Sequence, residues 1–178
     1  MSPELLLRVV NLTVPRRPGR APAVNPNPLA TVADAAGALG VPAVADAELP
    51  ALHELHRVVV NLVDRLLGGG GLEQPAERLS GLADASRAGA RLEVCDARLQ
   101  QRLDWSDPTL ASGLARRILL EVGAIDPKRL RRCERAECDL VFYDQTRSNT
   151  QRWHAESPCG LRERQRRHRA LAATATRS

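Results

Sequence analysis

Apolar residues return along this chain at recognisable spacings, and each spacing predicts an element. The clearest pattern runs from Leu49 to Leu67, where Leu52, Leu55, Val59, Leu62 and Leu66 recur at alternating three- and four-residue steps. That puts them on one face of an amphipathic helix, which Gly68 to Gly71 end as a flexible link. A shorter helix is predicted from Leu29, Val32, Ala36 and Leu39, opened by Thr31-Val-Ala-Asp34 and stopped at Gly40. Leu79 and Leu82 predict another across Gln74 to Arg87. Leu110, Leu114, Ile118 and Val122 predict a fourth, with Asp107 as N-cap, Pro108 at the first helical position and Gly123 closing it. Two stretches read differently. Leu5 to Leu12 is short, apolar and carries paired valines, which predicts a strand, and Arg91 to Trp105 alternates as a hairpin turning near Asp96. Between the first strand and the first helix, Pro15 to Pro28 holds five prolines and marks a loop. Asp126 to Arg132 reads as a short charged bridge into the last third of the chain.

Composition sharpens the picture without changing it. Hydrophobic residues make up 43% of 178, enough for a buried core, while aromatics are 2%, so Leu, Val and Ala must fill it. Such a core leans helical. No run of eighteen apolar residues is present, so no membrane span is expected, and the start lacks the flanks of a secretory signal. A reducing cytoplasm is the expected location, and there clustered cysteines read as metal ligands rather than disulfides.

The cysteines are clustered. Four residues separate Cys133 from Cys138, and four separate His154 from Cys159, with fifteen residues between the pairs. Two such pairs supply the two edges of a tetrahedral Zn2+ site, and full protein ligation predicts a structural role. The segment offers only Leu140, Val141, Phe142, Tyr143 and Trp153 as sizeable apolar groups. That is too little to offset an ordering cost of roughly 1–2 kcal/mol per residue, whereas zinc supplies on the order of 10–16 kcal/mol in such modules. His168 is a rival fourth ligand, but His154 restores the paired symmetry; alternatively His154 is a plain surface histidine. Cys95, far upstream, reads as a buried small hydrophobe.

Charge is unevenly placed. Lys128 to Ser178 holds 13 Lys/Arg against 6 Asp/Glu, a net +7, while the remainder carries 13 against 15, a net −2. Ser157-Pro158 predicts a helix under way by Cys159, along which Arg162, Arg166 and Arg169 form a stripe widened by Arg164, Arg167 and His168. Arginine's planar fork suits phosphate and guanine edges, and Arg147 and Arg152 could add phosphate contacts. A solvated face that merely aids solubility is the bland alternative. The expected partner is nucleic acid: DNA first, with RNA open, since phosphate affinity does not separate them.

The expectation is therefore an α+β fold: a mainly helical N-terminal domain with a few antiparallel strands, residues 1–127, and a small zinc module ending in a basic helix, residues 128–178. The body shows no obvious nucleophile–base set, so no enzyme is expected. His53 and His56, flanking Glu54, could place two imidazoles on a metal, but solvated or core-edge histidines are the simpler reading. A body that binds a small-molecule effector or catalyses a reaction, with zinc as a structural clip, is the competing function. The leucine seam of the long helix could serve a homodimer, though burial in its own core is the favoured use.

The run RRCERAECDLVFYDQTRSNTQRWHAESPCGLRERQRRHRA resembles the CGNR-type zinc finger. Phe142 and Tyr143, the loop Thr146-Arg147-Ser148-Asn149 and Arg152-Trp153 stand in its matching positions. Two residues depart from it. His154 replaces a cysteine, giving three thiolates and one imidazole, and Leu161 replaces the asparagine of the signature while Arg162 is kept. Upstream, Val10-Asn11 and Leu29-Ala30-Thr31 resemble the accompanying domain described as a stress-induced transcription regulator. The resemblance implies a zinc-bound, DNA-binding bacterial regulator.

Overall fold

In the computed structural model the described residues are 3–12, 28–85, 87–95, 98–106 and 109–175, with residues 87–95, 98–106 and 173–175 described by their backbone alone. The proline-rich loop falls almost wholly outside them, and so does the Cys95 side chain.

The long amphipathic helix is the scaffold. It spans Leu49–Gly68 and buries Leu52, Leu55, Val58, Val59, Leu62 and Val63 on one face. Gly69, at φ 71°, closes it in the left-handed region that favours glycine. With the helices before it, this is α3: α1 covers Glu4–Val10 and α2 covers Val32–Leu39. Thr31 caps α2 as expected, accepting from the Asp34 N–H. Helix α4 follows at Glu73–Asp84, ending short of the predicted Arg87 because that residue opens a strand. Strands β1 (Arg87–Cys95) and β2 (Arg98–Ser106) pair antiparallel as expected, with Cys95 opposite Arg98, and the predicted turn near Asp96 lies outside the described residues. Helix α5, Leu110–Ala124, packs against α4, α1 and α3. Its cap is Thr109 rather than Asp107: the Thr109 hydroxyl accepts from Ser112 N–H, and Glu48 takes the Leu110 N–H at 2.9 Å.

The predicted first strand is a helix. Leu6, Val9 and Val10 fall inward at i, i+3 and i+4, and the orphan N–H groups of Leu5 and Leu6 donate to the Glu121 carboxylate at 3.1 and 2.8 Å. Paired valines favour strand locally, but a cap supplied from α5 decides the outcome.

The bridge into the last third is ordered. Strands β3 (Leu130–Arg132) and β4 (Val141–Tyr143) pair antiparallel, and Leu130 and Val141 are buried in the same apolar core as the helices. Asn11, just past α1, grips β4 with both ends of its amide. Its Nδ2 donates to Val141 O, and Val141 N–H donates to its Oδ1, both at 2.8 Å. An exposed ion pair from Arg132 to Asp64 on α3 adds a third tie at 2.6 Å. Substituting Asn11→Ala strands a buried N–H and C=O together, so a loss of about 1–3 kcal/mol is expected. Denaturant unfolding of the full chain measures it, and an unchanged midpoint would show that water replaces the amide.

The last helix, α6, covers Leu161–Ala175. A wide turn at Glu156–Gly160 precedes it, where Ser157 is extended (φ −112°, ψ 125°). Ser157 is therefore no N-cap, and the regular helix starts two residues after Cys159. Among the described residues no helix is long and apolar enough to cross a membrane.

Candidate metal centre and basic helix

Two loops and a turn bring the metal-ligating groups together. Cys133 and Cys138 flank the connection between β3 and β4, folded back by Cys133 N–H to Leu140 O and Cys138 N–H to Arg135 O, both 2.9 Å. His154 comes from the segment after β4 and Cys159 from the turn before α6. Phe142, Leu140 and Trp153 pack around the three thiols as a second, smaller apolar cluster. Gly160 keeps this corner tight: a Cβ would lie 3.0 Å from the Trp153 ring and 2.6 Å from a Glu156 carboxylate oxygen, so both would have to shift.

The ligand atoms of Cys133, Cys138, His154 and Cys159 lie within 4.8 Å of one another. His154 presents Nδ1, 3.5 Å from Cys138 Sγ. Zinc bonds of about 2.3 Å to sulfur and 2.0–2.1 Å to nitrogen give tetrahedral edges of roughly 3.5–3.8 Å, so this edge has the length zinc requires. The thiols are buried and unbridged. Burial pushes Cys138 up to about 12 and raises Cys159, while it lowers His154. The pocket without a cation thus favours neutral thiols and a neutral imidazole, and a divalent ion is the compensating charge that makes thiolates stable there. Three thiolates and one imidazole close the coordination shell, which fits zinc and leaves no open position for water. His168 sits on the exposed surface of α6, outside the cluster. His53 is exposed on α3, and Glu54 beside it is taken up by Arg57 and Arg78. Among the described residues the Cys3His set is the group of three or more residues placed to hold a metal.

The loop between β4 and His154 is organised by Asp144, which sequence reasoning passed over. Its buried carboxylate accepts from Thr146 N–H (2.8 Å), Thr146 Oγ1 (2.6 Å) and Gln151 N–H (2.8 Å). Burial alone would raise this carboxyl, but those bonds and nearby Arg131 hold it below the usual carboxylate range. The Asp-Gln-Thr order is an Asx-turn pattern that could have signalled it. Arg129 and Arg131 strap the same loop by bonds to Thr146 O (2.8 Å) and Asn149 O (2.7 Å).

The arginines expected to meet nucleic acid fall into two groups. Arg152 pairs with Glu134 at 2.5 Å, Arg164 with Glu156, and Arg166 and Arg167 both with Glu163, at 2.6 and 3.4 Å. Arg152 and Arg164 also lie over the Trp153 ring, 5.1 and 5.9 Å from its centroid. By contrast Arg147 and Arg169 are exposed and make no ion pair among the described residues. Arg162 is exposed on the first turn of α6. The carboxylate partners were legible only as a lower net charge. Glu163, 5% exposed, is held below the usual carboxylate range by the Arg166 guanidinium.

Residues 129–171 match the family model of the CGNR zinc finger. No curated protein matches the chain.

Proposed function

We propose that this zinc-binding protein, whose residues 129–171 form a CGNR zinc finger, is a DNA-binding regulator that presents α6 to the duplex. The observation that carries this reading is the exposure of α6. From Arg164 to Ala172 every residue is exposed, and among the described residues the start of the helix packs against the turn that holds Cys159. A 15-residue helix is about 22 Å long at 1.5 Å per residue. Its diameter of about 10–12 Å suits the B-form major groove, about 12 Å wide. The deep, narrow groove of A-form RNA does not admit it, which favours duplex DNA over duplex RNA. In this reading Arg162, Arg164, Arg166, Arg167 and Arg169 line the groove, and Arg147 and Arg152 reach the flanking phosphates. The helical body, tied to β4 through Asn11 and to β3 through Asp64, fixes the angle at which the helix is offered.

Fluorescence anisotropy of the zinc-loaded protein against labelled duplex DNA and duplex RNA tests this. Five to seven phosphate contacts predict a log–log salt slope of about −4.5 to −6 on DNA, with weaker binding to RNA. Affinity that ignores salt, or that is absent on DNA, overturns the reading.

A further inference from the structure

Arg135 is the least expected side chain in the metal loop. It lies between the first two ligands in sequence, is only 7% exposed, and its Nη1 is buried without a hydrogen-bond partner. Its Nε donates to Glu137 at 2.8 Å, but Glu137 is 61% exposed, so the counter-charge sits at the water's edge. A guanidinium taken out of water needs a matching charge on its buried side. The enclosed group that the Arg135 guanidinium also reaches is the Cys159 thiol, fully buried among the metal ligands. A zinc ion with three thiolates and a neutral imidazole carries one net negative charge. One guanidinium cancels it.

We infer that Arg135 is a positioning residue for the metal centre, donating its buried N–H to the Cys159 thiolate and neutralising the loaded site. This rests on the metal-site reading above and extends it to a residue outside the ligand set. The donated hydrogen bond draws electron density from the sulfur. Cys159 therefore becomes the least nucleophilic of the three thiolates, and its bond to the metal is the one the surroundings protect. Partners behind a ligand commonly alter metal affinity by about 10–100-fold when removed.

The test uses the full chain as wild type, Arg135→Met and Arg135→Lys. Competition with a chromophoric chelator should show zinc held about 10–100-fold more weakly by Arg135→Met, with Arg135→Lys recovering most of the loss because it keeps the charge. With Co2+ in place of zinc, the sulfur-to-metal charge-transfer band of Arg135→Met should move to longer wavelength, since the sulfur lone pair is no longer stabilised. Peptide-resolved alkylation by iodoacetamide should find Cys159 the slowest thiol in wild type and several-fold faster in Arg135→Met. Zinc affinity within twofold of wild type, with band and alkylation order unmoved, overturns the inference. Should Arg135→Met fail to fold by circular dichroism, Arg135→Lys decides: its compact ammonium should still shift the band, and a wild-type band and Cys159 rate would refute the hydrogen bond. A wild-type chain that takes up no stoichiometric metal refutes the metal-site reading instead, which keeps the two failures apart.

Discussion

Stripping the metal with a strong chelator is expected to loosen Cys133–Cys138 and Trp153–Gly160 and to release α6, while the five body helices α1 to α5 stay folded. The two apolar clusters explain the division. The body core draws on α1 to α5 with Leu130 and Val141, none of which needs the ion. The small cluster consists of three ligating cysteines, Phe142, Leu140 and Trp153, so half of it is the metal site. Zinc in such modules contributes on the order of 10–16 kcal/mol of apparent free energy, more than that cluster can replace. Once the turn at Glu156–Gly160 is untied, α6 is a solvent-exposed helix of 15 residues, a length that is marginal in water. Circular dichroism should show a partial loss of helix, and hydrogen exchange should place it after Tyr143. A chelated protein with full helicity and unchanged exchange would refute the structural role of the ion.

The same site sets a pH dependence. Because burial holds Cys138 and Cys159 above the ordinary thiol range, both are protonated in the metal-free pocket at neutral pH. Binding must expel those protons, so each contributes about a tenfold loss of apparent affinity per unit of acidification. Those two thiols alone predict at least about a hundredfold loss between pH 7 and 6. His154 opposes this only weakly, since burial lowers it and favours the neutral imidazole that a metal needs. Metal-derived stability is therefore present at neutral and higher pH and is lost as pH falls. Chelator competition across pH 6–8 measures the slope.

What the sequence revealed and what it hid separate by range. The zinc ligands are legible because each pair is local, and the backbone between its members has few ways to fold. The helix over Leu49–Gly68 is legible because six buried residues repeat one period for five turns. The α1 segment misleads because its deciding partner, Glu121, lies 115 residues from Leu6. Asn11 hides for the same reason: an asparagine after a hydrophobic run looks like a turn residue, and its bond to Val141 spans 130 positions. Arg135 reads as one more surface arginine until the fold closes over it. Asp126 to Arg132 reads as a bridge because it is short and charged, whereas Leu130 within it and Val141 beyond it belong to the body core.

Replacing Glu163 by glutamine should raise affinity for DNA, and replacing its two partners should lower it far more. The Glu163 carboxylate is buried beside the helix while Arg166 and Arg167 reach it from the exposed side, so one negative charge occupies two guanidinium groups. A phosphate approaching α6 must compete with that carboxylate. Glutamine keeps a hydrogen-bond acceptor of the same shape but removes the charge, so both guanidinium groups meet phosphate at full strength. The expected gain is roughly three- to tenfold near 0.1 M salt, shrinking as salt screens the interaction. Arg166→Ala with Arg167→Ala removes two phosphate contacts, which should flatten the log–log salt slope by about 1.8 and weaken binding by roughly 10–100-fold at low salt. Arg147→Ala serves as the comparison, because that side chain has no carboxylate to escape and should lose about one contact's worth of slope. The opposite signs at neighbouring positions are what distinguish a groove-facing arginine stripe from a solvated basic surface. If Glu163→Gln binds DNA no better than wild type while holding zinc normally, Arg166 and Arg167 face away from the phosphates, and the groove-lining arrangement is wrong.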